Sequence, residues 1–210
     1  MHTKRILALM FLVASLLVGQ KSGLASPLTY FSVSFGGTTL YSESDAPAYD
    51  FKQYFLTVTA SSDSSVLEFM FQDDPAYYNL DDVVVVPASS DTDVYYPCSE
   101  ATGNLVTNCS FGTGDFTGWT GVGFTAFDGV DSVSPYGTVP YGANGYEASF
   151  GPFGDTGGIE QTISTVSGIS YDISFYLEND GIGSTPEPAS VSLFMTGLAG
   201  LGLLLARRHR

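Results

Sequence analysis

Phe31-Ser32-Val33-Ser34-Phe35 alternates apolar and polar residues, and Gly36-Gly37 then turns the chain. A period of two places Phe31, Val33 and Phe35 on one face of a β-strand and the serines on the other. The same period recurs along the sequence. Residues 51–60 set Tyr54, Leu56, Val58 and Ala60 on one side. Residues 66–71 predict a third strand, ended by Asp73-Asp74-Pro75. Residues 80–86 predict a fourth. Its run Val83-Val84-Val85-Val86 offers water no polar face, so it is expected to be central and covered on both sides. Further strands are expected over 146–150, 159–165 and 169–177. In the last of these Tyr171, Ile173, Phe175 and Leu177 oppose Asp172, Ser174 and Tyr176, a polar or amphipathic set. No stretch between 28 and 180 carries a helical period. Seven to ten short strands in about 150 residues predict an all-β fold, an antiparallel jelly-roll-like β-sandwich.

Composition agrees. The 210 residues include 24 glycines and 10 prolines, which suits a turn-rich fold, and 14% aromatics, too many for a disordered chain. The net charge is −15, and its distribution excludes more than its size does. Between Ser26 and Thr185 the only base is Lys52, against 21 acids, and both histidines lie outside that window. Nucleic-acid binding is excluded because phosphate contacts need Lys and Arg. The same stretch has no Ser-His-Asp or Cys-His pair, no His-based metal site and no Arg clamp for phosphates. It retains hydroxyls, aromatics and oxygen ligands on an acidic surface, which favours solubility and hard cations such as Ca²⁺.

The two ends read as addresses. Lys4 and Arg5 precede a 13-residue apolar run, residues 6–18, and small residues follow at Gly23 and Ala25. Residues 1–25 therefore read as a signal peptide cleaved after Ala25, using the Sec translocon and signal peptidase. As a helix the run spans only about 20 Å, short of a bilayer core of about 30 Å. The competing reading is an uncleaved anchor helix. At the other end come Pro186-Glu187-Pro188, then residues 189–206 without a charge, then Arg207-Arg208-His209-Arg210. Eighteen helical residues span about 27 Å, near the lower limit for a transmembrane helix. The basic cluster Arg207, Arg208 and Arg210 is expected to stop transfer and stay cytoplasmic.

This three-part order resembles the PEP-CTERM sorting signal of bacterial surface proteins, also known under an ice-binding-protein C-terminal label. The resemblance covers Pro186 to Arg210, within a sorting segment of residues 184–210. It implies processing near Pro186, Glu187 and Pro188 by a membrane enzyme, an exosortase, in a bacterium that makes extracellular polysaccharide. An ordinary tail anchor following Pro-Glu-Pro is the competing reading.

Within the strand-rich region, Asn104 to Trp119 reads NLVTNCSFGTGDFTGW. It resembles the opening of bacterial secreted β-sandwiches related to carbohydrate-binding modules, N-x-x-x-N-G-S-F-E-x-G-x-F-x-G-W. Residues 158–180 resemble the middle of that module and residues 31–86 its second half. The resemblance divides the chain into a second half-module over 26–86, a linker over 87–103 and a first half-module over 104–183. Circular permutation gives this order, and so does a slice through tandem copies. The strand near Tyr171–Leu177 is expected to pair antiparallel with that near Phe31–Phe35, because an uninterrupted module runs directly from one to the other.

Candidate sites follow. Cys98 and Cys109 are a candidate disulfide, against two free thiols; the related modules carry Gly at the place of Cys109. The resemblance implies a Ca²⁺ site with Asp81 or Asp82 as ligand. Gly112 stands where the modules have a ligating Glu, and the alternative role for these aspartates is to cap a turn. Tyr77 and Tyr78 are candidate glycan contacts. Trp119 is assigned to the core rather than to a sugar. Asp155-Thr156-Gly157-Gly158 reads as a turn. The expected function is that of an exported, non-enzymatic surface or matrix protein associated with exopolysaccharide, at first anchored in the membrane by its tail. A secreted glycan-binding module is the alternative, and a glycan-active enzyme a more distant one.

Overall fold

The computed structural model describes residues 29–88, 98–132 and 145–180. The expected signal helix, the Pro-Glu-Pro motif, the transmembrane helix and the basic cluster lie outside these residues. Ten strands form two five-stranded sheets in which every pairing is antiparallel. They are β1 (Thr29–Phe35), β2 (Thr38–Ser44), β3 (Tyr49–Thr59), β4 (Ser64–Asp73), β5 (Tyr78–Pro87), β6 (Thr120–Val122), β7 (Asp128–Ser132), β8 (Tyr146–Phe150), β9 (Gly157–Ser164) and β10 (Ser170–Asn179). One sheet has the order β2-β1-β4-β9-β6 and the other β3-β10-β5-β8-β7. The seven expected strands are all present. Sequence reading missed β2, β6 and β7, which are polar or only three residues long and bury little.

The inner faces carry the alternation. Phe31, Val33 and Phe35 of β1 join Leu67, Phe69 and Phe71 of β4 and Ile159 and Ile163 of β9. Opposite them stand Leu80, Val83 and Val85 of β5 with Ile173, Phe175 and Leu177 of β10. All are buried, and each contributes roughly 1.5–3 kcal/mol by leaving water. Rings dominate the contacts: Phe31 lies 5.3 Å from Phe71 and 5.8 Å from Phe175, and Phe71 stacks on Phe150 at 4.1 Å. Trp119 packs on Phe111 and Phe69, in the core as expected.

The expected pairing of β10 with β1 does not occur. β10 lies between β3 and β5, whereas β1 lies between β2 and β4 in the other sheet. The two strands meet face to face instead, through Phe31–Phe175 and Phe35–Tyr171 contacts. Their apolar sides demanded a partner, and a facing sheet satisfies that demand as well as a neighbouring strand does.

β5 is the middle strand of its sheet, buried from Tyr78 to Val86. A bulge makes this possible. Tyr176 pairs with Asp81 and Ser174 with Val84, so Asp82 and Val83 together oppose Phe175. Asp82 takes the left-handed conformation at φ 51°, which Asp tolerates better than most residues. The extra residue turns Val83 and Val85 into the main core and leaves Val84 and Val86 on the outer face. There Cys98, Ala101 and Cys109 cover them. Residues 98–103, expected as linker, are thus built into the fold. The end of the 155–158 stretch is also strand rather than turn, since β9 begins at Gly157. A side chain on Gly158 would place its Cβ 1.9 Å from the Phe69 carbonyl oxygen.

Candidate functional site: an aromatic cleft at one end of the sandwich

β4 ends at Asp73, the chain turns through a cis Asp74–Pro75 bond, and β5 begins at Tyr78. This turn forms one wall of a cleft of about 110 Å³. The connection between β8 and β9 forms a second wall through Gly151 and Phe153, and Phe127, just before β7, forms a third. Each ring is held by its backbone. The Tyr77 carbonyl accepts a hydrogen bond from the Asp180 amide at 3.0 Å. Phe127 projects from a turn in which the Asp128 carboxylate accepts from the Thr125 amide at 2.6 Å and its hydroxyl at 3.0 Å. Gly151 lets the Tyr77 ring lie against the neighbouring backbone, because a Cβ there would come within 2.8 Å of that ring.

The three rings are open to solvent, with Phe153 67%, Phe127 54% and Tyr77 36% exposed. Three separate connections each leave a large apolar ring in water, and together they make one exposed aromatic patch. Asp73 also lines the cleft and is the opposite case, 1% exposed, with both carboxylate oxygens sealed from solvent. Burial pushes its pKa up to about 6; the Ala76 amide draws it back partway, and the nearby Asp180 carboxylate raises it further. The cleft therefore opens on three exposed rings, while the Asp73 carboxylate is enclosed. Lys52, the only Lys, Arg or His among the described residues, stands elsewhere, 3.9 Å above the Tyr49 ring on β3.

No protein-family model matches this chain, and no curated protein or solved structure shows significant similarity to it.

Of the sequence candidates, Tyr77 lies in the cleft and Tyr78 does not. Tyr78 is fully buried, with its hydroxyl donating to Glu43 at 3.2 Å. The two are neighbours at the start of a strand, so only one of them can face outward. Asp81 and Asp82 are buried. The Asp81 Oδ1 accepts from the Asp82 amide at 2.7 Å, and the Asp82 Oδ1 accepts from the Cys98 amide at 3.1 Å. The second oxygen of each has no partner. Among the described residues no group of three acidic, His or Cys side chains is arranged to hold a metal ion. Through its bond with the Cys98 amide, Asp82 anchors the start of the Cys98 loop. Cys98 and Cys109 are joined in a disulfide with their Cα atoms 6.1 Å apart.

Asp73, Phe127, Gly151 and Phe153 were missed as site residues. The sequence did hold a signal for Phe153: it sits in Gly151-Pro152-Phe153-Gly154, where turn residues on both sides leave no strand to carry it inward. No local signal ties Phe127 or Asp73 to that turn, since they come from distant parts of the chain.

Proposed function

We propose that this is an exported, non-enzymatic bacterial surface protein. Its tail directs membrane anchoring and exosortase processing, and its sandwich contacts extracellular polysaccharide. The sorting part rests on the order of Pro186-Glu187-Pro188, the uncharged residues 189–206 and the terminal basic cluster. The polysaccharide part rests on one observation, the exposed rings of Tyr77, Phe127 and Phe153 around the buried Asp73. Aromatic faces stack on the apolar faces of sugar rings. The lack of His and Arg in the central stretch supports a binding role over hydrolysis of esters, peptides or phosphates.

Intact mass of the protein taken from the cell surface tests the sorting. The expected mass lacks residues 1–25 and the tail beyond the Pro-Glu-Pro region. Replacing Pro186, Glu187 and Pro188 with alanine is expected to leave export intact and to keep the full tail in the membrane. Unchanged tail processing in that variant overturns the sorting assignment. For the cleft, Phe153→Ala is expected to weaken retention on the producing cell's polysaccharide, and equal retention overturns the contact.

A further inference from the structure

The chain leaves the sandwich beside its exposed rings. Across one sheet, Asn179 of β10 pairs with Tyr78 of β5, Tyr78 with Phe150 of β8, and Phe150 with Asp128 of β7. These four residues form one row at an end of the sandwich. Tyr77 and Phe127 stand immediately beyond that row and Phe153 follows Phe150 in the β8–β9 connection. Asp180 stands beyond it too, its amide donating to the Tyr77 carbonyl at 3.0 Å. The eight residues 181–188 separate Asp180 from Ala189, where the uncharged run begins, and they span at most about 30 Å. The opposite end of the sandwich lies about 30 Å further along β10, so it meets a bilayer only with this tether stretched back along the domain, at a cost in chain entropy. The end that carries the rings is therefore the end held next to the bilayer. Exposed apolar patches mark contact surfaces, and aromatic rings are favoured where hydrocarbon gives way to headgroups. Charge selects the lipid. Asp74 and Asp155 share the connections that carry Tyr77 and Phe153, and Lys52 is the only base among the described residues. Anionic headgroups are repelled by such a surface, whereas zwitterionic ones present their ammonium groups to it.

We propose that, while the tail is in the membrane, the end of the sandwich that carries Tyr77, Phe127 and Phe153 rests on the bilayer surface with these rings among zwitterionic lipid headgroups. This rests on the membrane anchoring proposed above. The tether keeps the patch at high local concentration beside the lipid, so a weak contact of three rings suffices. The same rings meet polysaccharide once they leave the lipid, which removal of the tail allows.

The test uses the full-length protein inserted through its tail into vesicles of phosphatidylcholine and phosphatidylethanolamine that carry a headgroup spin label. Both native cysteines are in the disulfide, so one added cysteine gives a single thiol for a fluorophore. Ala126→Cys places it at an exposed position next to Phe127, and Ser61→Cys places it, also exposed, at the opposite end, just past the pairing of Thr59 with Ser170. Resistance to carbonate extraction reports insertion of the tail. The spin label is expected to quench the fluorophore at 126 and to leave that at 61 bright. With Phe127→Ser and Phe153→Ser together, both rings being exposed, the quenching at 126 is expected to be lost while the tail stays inserted. Adding phosphatidylglycerol is expected to weaken the quenching, and salt to restore it. A tail that carbonate extracts overturns the anchoring and the proposal with it. An inserted tail with an unquenched fluorophore at 126 overturns the membrane contact alone and leaves both the anchoring and the polysaccharide contact standing. Quenching that is equal at 126 and 61, or that survives loss of both rings, shows mere proximity and overturns the contact. Shielding from aqueous iodide without lipid quenching, growing with protein density, assigns the patch to a second copy of the chain and overturns it as well. Stronger quenching on phosphatidylglycerol overturns the choice of zwitterionic lipid.

Discussion

At the scale of single residues, the unusual feature is how many carboxyl groups this fold encloses. Burial pushes Asp81 up to about 8, reinforced by Asp82 and Glu147. It pushes Glu147 up to about 7, reinforced by Glu178 and Asp180, and Asp73 up to about 6. In the unfolded chain these groups titrate near 4. Between about pH 4 and pH 8 the folded protein therefore binds more protons than the unfolded one, and stability falls as pH rises through that window. The urea midpoint is expected to be higher at pH 5 than at pH 8. Asp81→Asn is expected to raise the midpoint at pH 8, to change it little at pH 5 and so to flatten the profile. A profile rising from pH 5 to pH 8 in the parent protein would show that these carboxyls are not held neutral. Sequence alone marked Asp81 and Asp82 as noteworthy but for another reason. Glu147, which acts on Asp81, lies across the sheet on β8, a strand far from β5 in the sequence. The core residues were easier to foresee, because alternation is local. Phe31 was assigned inward from five residues, and its ring contacts Phe69, Phe71, Tyr78 and Phe175. Phe31→Ala is expected to cost about 3–5 kcal/mol in denaturant unfolding.

At the scale of elements, β5 shows how a strand without a polar face is accommodated. Its first half pairs with β8, but only through Tyr78, Asn79 and Leu80. Beyond that, the chain near the disulfide takes over the vacant edge. Val83 donates to the Cys109 carbonyl at 2.9 Å and Leu105 donates to the Val85 carbonyl at 2.9 Å. The Asn104 side chain accepts from the Val85 amide at 3.0 Å and donates to the Val83 carbonyl at 3.2 Å, standing in for a peptide group. The disulfide closes this segment while Cys98 covers Val84 and Val86. Replacing both cysteines by serine is expected to cost roughly 2–3 kcal/mol through loss of a short closed loop, with added loss from exposing the valines. Urea unfolding of the parent protein with and without reductant measures it, and unfolding curves that coincide would make the bond incidental. The sequence indicated a covered strand from its four valines and a candidate bond from two cysteines. It did not indicate that one covers the other, because the bulge at Asp82 that sends Val84 and Val86 outward has no signature in the strand's composition.

At the scale of the whole molecule, the question is whether residues 29–87 and 104–180 are two bodies or one. The separation of β1 and β10 into different sheets would suit two half-modules if each half kept to its own sheet. Neither does. β4 pairs with β9 along eight residue pairs, and β5 and β3 flank β10, so each sheet is joined across the halves. The permuted order then makes a specific demand, that the end of β10 lie near the start of β1. Both reach one atom: the Ala46 carbonyl oxygen accepts from the Asn179 side chain at 3.3 Å and from the Thr29 hydroxyl at 3.4 Å. Two groups that share an acceptor can be bridged by a short loop, and closing such a loop costs little in chain entropy. A re-permuted protein follows from this. Residue 180 is joined to residue 29 through about four Gly and Ser residues, and new ends are opened between Ala88 and Cys98. This construction keeps every strand pairing and keeps both cysteines on one side of the cut. It is expected to fold with a cooperative unfolding transition and a sheet-rich circular dichroism spectrum like those of the parent, retaining the disulfide and the cleft. Residues 26–103 and 104–183 made separately are expected to remain unfolded or to aggregate, since each would expose the open edges of β4, β5, β9 and β10. A cooperative transition in either half alone would contradict the shared core. Failure of the re-permuted chain to fold, with the parent folding normally, would mean that the route through residues 89–97 does more than connect.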